Sequence, residues 1–412
     1  MTKPADGDRS PGIAPVSAPR RPLERLTGID AARGVALIAI MCVHLLPRTY
    51  PSTGTPTLTW IFFPGDSPAL FALLAGTGMA FTSGGRRPVR GRALTAARTG
   101  VAVRAVLLLV LGLSIGYLMP PQPPAFNILI YFTAYFLLAV PFLGLAPRTL
   151  FVLSGIFLLI GPLLIHVVGG ALPEFSSFNP TFGTVLSEPV AVLWQLLVTG
   201  TYPALPYMAY VLAGVAIGRL NLRSLRVQVR LLVAGAALAA TAKLVSWHLL
   251  YSADVYTTLL YSVPSLTREQ LYTLLVYGPS GTLPTTTPWW LILTTPDANT
   301  PFSVAWSLGI SLAVVGACLL VARKFEAWLV PLAAVGAMTL SLYYAHLVFL
   351  SFEFFYAHRL LWAVVSLVLS VLFALAWERA FGQGPVERLL NAVVRPARRA
   401  VLGRGSRGAP VS

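Results

Sequence analysis

The chain has 412 residues, of which 56% are hydrophobic and only 11% are charged. This composition excludes a soluble globular protein with a normal polar surface, because such proteins carry about 25% charged residues. The net charge of +16 needs no nucleic acid partner, because basic residues collect on the cytoplasmic side of membrane proteins and attract anionic lipid. We therefore expect a multi-pass membrane protein whose main partner is the lipid bilayer.

Apolar segments that are long enough for the hydrocarbon core recur along almost the whole chain. They predict an all-α, polytopic membrane protein of about ten transmembrane helices, at residues 34–47, 67–83, 101–119, 126–145, 149–168, 203–218, 230–250, 301–322, 329–350 and 360–378. If the N-terminus is cytoplasmic, only Arg48, Lys243, Arg268 and Arg359 of the 30 lysines and arginines fall away from the cytoplasmic side. The charge bias therefore predicts that both termini are cytoplasmic.

The chain divides into three predicted regions. Residues 1–25 form a basic tail that is rich in proline and is expected to be disordered. Residues 26–380 form the transmembrane domain, and residues 381–412 form a second basic tail. Apolar residues recur at helical spacing in that tail, which predicts an amphipathic segment on the cytoplasmic leaflet followed by disordered residues. Since no P-loop, dinucleotide fingerprint or metal-ligand spacing occurs, neither a metal nor a permanently bound cofactor is expected.

The most informative string in the chain is GIDAARGVALIAIMCVHLLP, residues 28–47. Asp30, Arg33 and Gly34 form a motif at the cytoplasmic end of the first span, and His44 lies in its outer half. Eleven residues make about three helical turns, so Arg33 and His44 share one face and lie about 16 Å apart. Because ionisable residues within a span tend to mark function, His44 is a candidate catalytic residue.

A second string, GAMTLSLYYAHLVFL, covers residues 336–350. Thr339, Tyr343 and His346 share one face of a helix and form a polar stripe in an apolar span. Such a stripe has to face protein or water rather than lipid. Hydrogen bonding between helices and the lining of a substrate site both explain it.

Three outer segments are candidates for a pocket. Asp66 lies where the chain enters the second span, and its side chain either caps that helix or contributes to the pocket. Residues 169–203 contain Glu174 and several prolines, which predict broken or re-entrant backbone around a cavity. Residues 251–301 form the longest outer loop, expected to be a lid or binding element, and the adjacent Trp289 and Trp290 are expected at the membrane interface.

The first string, together with FFPGDSPALFALLAGTGMAF, resembles the start of the heparan-alpha-glucosaminide N-acetyltransferase-like family and the YeiB-related bacterial membrane proteins. Further along, TYPALPYMAYVLAGVAIGRL, PDANTPF, GAMTLSLYYAHLVFL and FGQGPVERLL resemble recurring blocks of its actinobacterial branch. The likeness runs from about residue 26 to about residue 395.

The resemblance implies a transmembrane acyltransferase domain in the bacterial cytoplasmic membrane, acting on the cell envelope. Members of the family take an acyl group from acyl-coenzyme A, typically acetyl-coenzyme A, in the cytosol and deliver it to a sugar acceptor across the membrane. A histidine near the outer side is central to the transfer. The nearest matching position here is His44, although the human-type enzymes carry their histidine in the loop after the first span. Related proteins often carry Pro-His-Ser-Gly-Thr-Pro where residues 296–301 read PDANTP, so Asp297 would have to replace that histidine.

Acyl transfer to a hydroxyl or an amine requires a base, and neutral imidazole near its ordinary pKa is suited to that role. His44 is the candidate base and His346 is a second catalytic candidate. A carboxylate, either Asp66 or Asp297, is expected to orient the imidazole and stabilise its charged form.

On the cytoplasmic side, Arg33, Arg86 and Arg87 offer cationic groups for a phosphate of coenzyme A. For Arg86 and Arg87, which belong to a cluster with Arg90 and Arg92, a purely topological role is the simpler explanation.

The leading hypothesis is an integral membrane O- or N-acyltransferase that acts on an extracytoplasmic sugar, glycan or lipid. The alternative is a transporter or exporter of a small polar or amphipathic molecule, favoured by the outer histidines and the proline-broken segments. No internal repeat supports that alternative, and the spans contain few acidic residues for ion coupling. A third possibility is a non-catalytic accessory protein. The sequence leaves open the acceptor, the acyl chain and whether the protein forms a homodimer.

Overall fold

The computed structural model describes residues 26–63, 65–173, 177–252 and 254–403. The predicted N-terminal tail, Glu174 and the end of the C-terminal tail lie outside these ranges. The described residues are helical apart from loops and one isolated bridge between Thr49 and Pro56.

The described ranges contain seventeen α-helices, connected mostly by short loops. They are α1 (Thr27–Leu45), α2 (Leu58–Phe62), α3 (Asp66–Thr82), α4 (Gly91–Gly116), α5 (Leu129–Ala139), α6 (Pro147–Val168), α7 (Phe182–Ser187), α8 (Pro189–Trp194), α9 (Ala204–Gly218), α10 (Leu225–Ser252), α11 (Val255–Ser262), α12 (Arg268–Tyr277), α13 (Pro301–Lys324), α14 (Glu326–Ala337), α15 (Thr339–Leu350), α16 (Arg359–Phe381) and α17 (Pro385–Gly403). Tighter or wider helical turns occupy Val140–Gly144, Gly169–Ala171, Gln195–Thr199, Pro288–Ile292 and Phe354–His358.

Seven helical segments among the described residues are long and apolar enough to cross a membrane, and two bent helix pairs raise the number to nine. This confirms the all-α class and supports a multi-pass membrane protein. A further segment, Leu129–Gly144, is apolar but shorter, and it corresponds to the predicted span at residues 126–145. The total of ten spans and the cytoplasmic position of both termini stay predictions.

Helix α9 lies at the centre of the bundle, and nearly all of its residues are buried. Helices α3 and α6 pack against it, and α1 packs mainly against α14. By contrast, the outward side of α16 exposes large apolar side chains such as Leu360, Leu369 and Leu372, as expected where a helix meets lipid.

The glycine of the Asp30-Arg33-Gly34 motif serves helix packing. A methyl group on Gly34 would collide with the carbonyl oxygen of Leu332 in α14, and one on Gly336 would collide with the carbonyl oxygen of Asp30. Small residues allow two helix backbones to approach this closely. The contact fixes α1, and therefore the side chains that α1 carries, relative to the last part of the bundle.

The segment predicted as one span at residues 329–350 is broken. Helices α14 and α15 meet at Met338 with a bend of 66°, so Thr339 begins a new helix rather than continuing an old one. The predicted break near Pro203 is also present, with a bend of 55° between Pro189–Thr199 and Ala204–Gly218. Both breaks lie inside the bundle, where neighbouring protein groups can satisfy the freed backbone.

The long segment 251–301 is a folded unit with its own apolar core. The members of that core are Leu250, Val255, Leu259, Leu271, Trp290, Ile292 and Leu293. Trp290 is fully buried and its indole donates to Thr286 Oγ1 at 3.1 Å, whereas Trp289 is 39% exposed. The expectation that both tryptophans lie at the membrane interface is therefore wrong for Trp290, which instead fills the core of this unit.

The amphipathic helix predicted in the C-terminal tail is present as α17. It packs against α4 and α15, and its apolar residues Leu390 and Val394 are buried in those contacts. The helix is therefore an integral part of the bundle.

Candidate active site

His44 and His346 form a hydrogen-bonded pair. The distance from His44 Nδ1 to His346 Nε2 is 3.1 Å, and the two rings are parallel within 4°. His346 is only 4% exposed, and its Nδ1 atom is buried without a hydrogen-bond partner in the described part of the chain. One imidazole donates to the other, so each ring fixes the orientation of its neighbour.

The fold brings these residues together from 302 positions apart. His44 is in the last turn of α1, and His346 is in the middle of α15, which contacts α1. The break at Met338 sets the direction of α15 and hence the position of His346. We call the end of the bundle that carries Arg33 the lower end, and the end that carries His44 the upper end.

Asp66 does not contact the histidine pair. Its carboxylate accepts hydrogen bonds from Ser307 Oγ at 2.6 Å and from the Trp306 indole at 3.3 Å. Gly65 occupies the N-cap position of α3, with φ of 66° and no capping side chain. The interpretation of Asp66 as a helix cap is therefore wrong, since its side chain joins α3 to α13.

Asp297 lies closer to the pair, in the loop between residues 292 and 301. It lines a cavity of about 80 Å³ together with His44 and Arg48, which we call the histidine cavity. Among the described residues, Asp297 Oδ1 is buried and accepts no hydrogen bond. Burial raises the pKa of Asp297 to about 6, against an opposing effect of Arg48. The site thus holds a carboxylate with spare hydrogen-bonding capacity beside the imidazole pair, but no hydrogen bond joins it to His44.

The backbone around Asp297 adopts an uncommon conformation. Asp297 and Asn299 both have positive φ, of 54° and 51°, which costs free energy for non-glycine residues. The Asn299 amide donates to the carbonyl oxygens of Thr201 and Asp297, and these bonds hold the loop against the break before α9.

A larger cavity of about 520 Å³, the upper cavity, adjoins the histidine cavity. Arg48 and Asp297 line both cavities and therefore stand between them. The rest of the upper cavity is lined by the end of α6 and the turn after it, by residues 198–201 and, for the largest part, by loops and turns between residues 277 and 300. Its polar and aromatic lining suits a hydroxyl-bearing molecule.

A third cavity, the lower cavity, has a volume of about 450 Å³. Its body is apolar, and the side chains in its lining include Phe71, Leu108, Phe132 and Phe136. Four arginines belong to the same lining: Arg33, Arg104, Arg395 and Arg398. A cavity of this composition fits a ligand with an apolar arm and an anionic head.

The predicted cationic residues divide between this cavity and the surface. Arg33 lines the cavity and pairs with Asp30 at 2.9 Å. Arg86 and Arg87 are exposed in the turn after α3 and do not line it. Sequence reasoning missed Arg104 and Arg398, although an arginine inside the apolar run at residues 101–119 is itself a signal of function.

The lower cavity extends along α15 toward the histidine pair. Tyr343 lines the lower cavity, and His346 follows it by one helical turn on the same face. The Tyr343 hydroxyl accepts a hydrogen bond from Ile128 N at 3.4 Å. The histidine pair thus lies between a cavity with a cationic lining below and a polar cavity above.

Comparison with known protein families shows a match. The model described as heparan-alpha-glucosaminide N-acetyltransferase, catalytic, matches residues 25–257, which is more than half of the chain. No match was found among curated proteins. The matched segment contains Arg33, His44 and Asp66, and it ends before Asp297, His346 and α17.

Proposed function

We propose, for a chain that belongs to the heparan-alpha-glucosaminide N-acetyltransferase family, that it transfers an acyl group from one end of the bundle to the other. The family makes the protein a membrane acetyltransferase, and acetyl-coenzyme A is the donor that such enzymes use. The donor occupies the lower cavity, and an extracytoplasmic sugar, glycan or lipid acceptor occupies the upper cavity. The observation that carries this proposal is the histidine pair between two cavities of opposite chemical character.

In this proposal the donor's acyl-pantetheine arm follows the apolar body of the lower cavity toward Tyr343, which brings the thioester near the histidine pair. The acceptor's hydroxyl or amine attacks the thioester carbonyl. A C–O or C–N bond forms, the C–S bond breaks, and coenzyme A leaves. His44 takes the acceptor's proton and passes it to the departing thiolate, so that the reaction consumes no net proton.

His346 acts on His44 through their hydrogen bond. It holds the ring of His44 in one orientation and shares the positive charge while His44 carries the extra proton. In many enzymes an aspartate does this work. Here Asp297 lines both the histidine cavity and the upper cavity, and its Oδ1 has no hydrogen-bond partner among the described residues, so we assign Asp297 to binding the acceptor's N–H or O–H group.

The proposal includes a topology. Ten spans place the lower end and both termini in the cytoplasm and the upper end outside, in a bacterial cytoplasmic membrane. This orientation supports a cytosolic donor, and it follows from the lysine and arginine bias. Labelling of single cysteines introduced at Arg87 and Thr282 by an impermeant reagent on intact cells tests it, since only the Thr282 position should react.

The proposal is tested with the full-length protein in lipid nanodiscs, radiolabelled acetyl-coenzyme A and a cell-envelope extract. His44→Ala should reduce acceptor labelling by about 10²- to 10⁴-fold, the usual contribution of a general base, and leave coenzyme A binding intact. His248→Ala is the matched control, because His248 is exposed on α10 and lines none of the three cavities.

Equal labelling by wild type and His44→Ala would remove His44 from the mechanism. Uptake or release of a solute by proteoliposomes without any acyl donor would favour the transporter alternative. Full function in a triple alanine variant of His44, Asp297 and His346 would favour a non-catalytic accessory role.

A further inference from the structure

Helix α17 forms one wall of the lower cavity, although it lies beyond the segment that matches the family. Its residues Glu387, Asn391, Val394, Arg395 and Arg398 all line the cavity. They follow one another at helical spacing, so they occupy one face of the helix. Exposed arginines at positions 388 and 399 lie on α17 outside this lining. Arg395 is also exposed, but it lines the cavity with Arg398, whereas Arg388 and Arg399 do not.

Arg33 is paired with Asp30, but two other arginines of the cavity lining donate to neutral groups. Arg104 donates to Asn391 Oδ1 at 3.1 Å, and Arg398 donates to the carbonyl oxygen of Thr82 at 3.0 Å. Within the described part of the chain, neither these two nor Arg395 forms an ion pair with a carboxylate. Their charge is therefore available to an anionic ligand at the cavity.

One carboxylate of α17 is already engaged. Glu387 Oε1 accepts hydrogen bonds from Leu340 N at 2.9 Å and from Ser341 N at 3.2 Å, and its Oε2 accepts one from Ser341 Oγ. These are first-turn N–H groups of α15, which are free because the span is broken at Met338. Gly384 lies against the same turn, where an added Cβ would meet Met338 and Ser341. The start of α17 is thus fixed to the helix that carries Tyr343 and His346.

We propose that α17 is the phosphate-binding element of the donor site: Arg395 and Arg398, with Arg104, bind the phosphates of the donor's nucleotide. The inference rests on the proposed function for the identity of the donor. Coenzyme A joins an apolar-tolerant arm to a diphosphate and a 3′-phosphate, which matches an apolar cavity with arginines in its lining. Glu387 is a positioning residue, because it ties this phosphate-binding face to the turn that begins α15.

The test measures coenzyme A binding to the full-length protein in zwitterionic nanodiscs by calorimetry. The double variant Arg395→Gln, Arg398→Gln should weaken coenzyme A binding by about tenfold or more per lost charge-assisted bond. Its affinity for pantetheine, which has no phosphate, should not change. The double variant Arg388→Gln, Arg399→Gln removes the same charge from positions outside the cavity and should stay within about twofold of wild type.

Dephospho-coenzyme A separates the contributions of the phosphates. We call the double variant Arg395→Gln, Arg398→Gln the cavity-face variant. If Arg395 and Arg398 hold the 3′-phosphate, wild type should prefer coenzyme A over the dephospho form, and the cavity-face variant should lose this preference. If they hold the diphosphate, the variant should weaken both ligands equally.

For Glu387, a Glu387→Gln variant should raise the KM for the donor and also lower kcat, because α15 carries both Tyr343 and His346. A Glu387→Asp variant should restore part of both values. An effect on thermal stability alone, with both kinetic constants unchanged, would reduce Glu387 to a structural contact.

Several results would overturn the inference while leaving the proposed function intact. Equal coenzyme A affinity in the cavity-face variant and the control variant, with His44-dependent transfer retained, would remove α17 from donor recognition. If Arg395 and Arg398 bind lipid phosphate instead, anionic lipid should compete for them. The Arg395→Gln, Arg398→Gln variant should then bind coenzyme A as tightly as wild type in zwitterionic bilayers. Failure of wild type to bind coenzyme A at all would contradict the donor and the proposed function themselves.

Discussion

The lower cavity, which ends at Tyr343, and the upper cavity, which shares Arg48 and Asp297 with the histidine cavity, are built differently. The lower cavity is lined mostly by side chains of packed helices, including α3, α4, α15 and α17. The upper cavity is lined largely by irregular segments, and the loop that carries Asp297 contains two residues with positive φ. Loops accept changes in sequence more readily than packed helices. Under the proposed function, the lower cavity would be a fixed site for a constant donor and the upper cavity an adaptable site for the acceptor.

The largest expected effect comes from breaking the upper region alone. Trp290→Ala removes the central side chain of the core of segment 251–301 and should cost about 3–5 kcal/mol of local stability. Acceptor labelling should collapse, whereas the affinity for coenzyme A should stay at its wild-type value. Hydrogen exchange across residues 255–293, measured together with calorimetry, checks both parts.

Trp289→Ala is the control for this change, because Trp289 is 39% exposed and does not line the upper cavity. Loss of coenzyme A binding in Trp290→Ala would mean that the two regions are not independent.

A smaller effect is expected from the lower region. Gly336→Ala places a methyl group against the backbone of α1 at Asp30 and should lower the free energy of unfolding by about 1–3 kcal/mol, the usual cost of overpacking. The shift of α1 should also weaken coenzyme A binding, because Arg33 and Gly336 line the lower cavity. Thermal unfolding in nanodiscs and calorimetry provide the measurements.

Gly155→Ala is the matched control on α6, where a Cβ would meet open space. That variant should be neutral or slightly more stable, because alanine favours a helix over glycine. If both alanine variants behave alike, the close contact between α1 and α14 does not limit stability.

The smallest effect is a change in pH dependence that belongs to the upper region. Burial raises the pKa of Asp297 to about 6, above the ordinary carboxyl value of about 3.9. If acyl transfer requires the ionised carboxylate of Asp297, the rate of transfer should therefore rise as the pH increases through about 6. Between about pH 4 and pH 6 the folded protein keeps a proton that the unfolded chain has lost, so the stability contributed by Asp297 falls as the pH rises through that window.

Asp297→Asn should remove this step from the pH profile of kcat/KM and leave coenzyme A affinity unchanged. Asp254→Asn is the control, since Asp254 is exposed and also has a φ of 54° in the same segment. A step near pH 6 that persists in Asp297→Asn would assign the titration to another group.

Much of the site could be predicted residue by residue. His44 and His346 stand out because an ionisable side chain in an apolar span is costly and needs a reason. Their pairing could not be predicted, because it depends on how α1 packs beside a span that is broken at Met338. The sequence-based selection of arginines for the cytoplasmic binding site missed Arg104 and Arg398 for a similar reason. Arg86 and Arg398 are equally basic in the sequence, and only the packing of α17 against α4 places Arg398 in the cavity lining.

The sequence by itself determined that this is an all-helical protein of the membrane. The length of the apolar segments and the distribution of lysine and arginine are local properties of the sequence, and they govern how the chain inserts into a lipid bilayer. It also determined the family, through strings such as Gly28 to Pro47. The tertiary structure alone decided which polar groups meet: His44 with His346, Asp66 with Ser307, and Glu387 with the first turn of α15. Lipid excludes water from the bundle, so a buried polar group that is not satisfied within its own helix gains from a partner on another element, and no local pattern specifies which one.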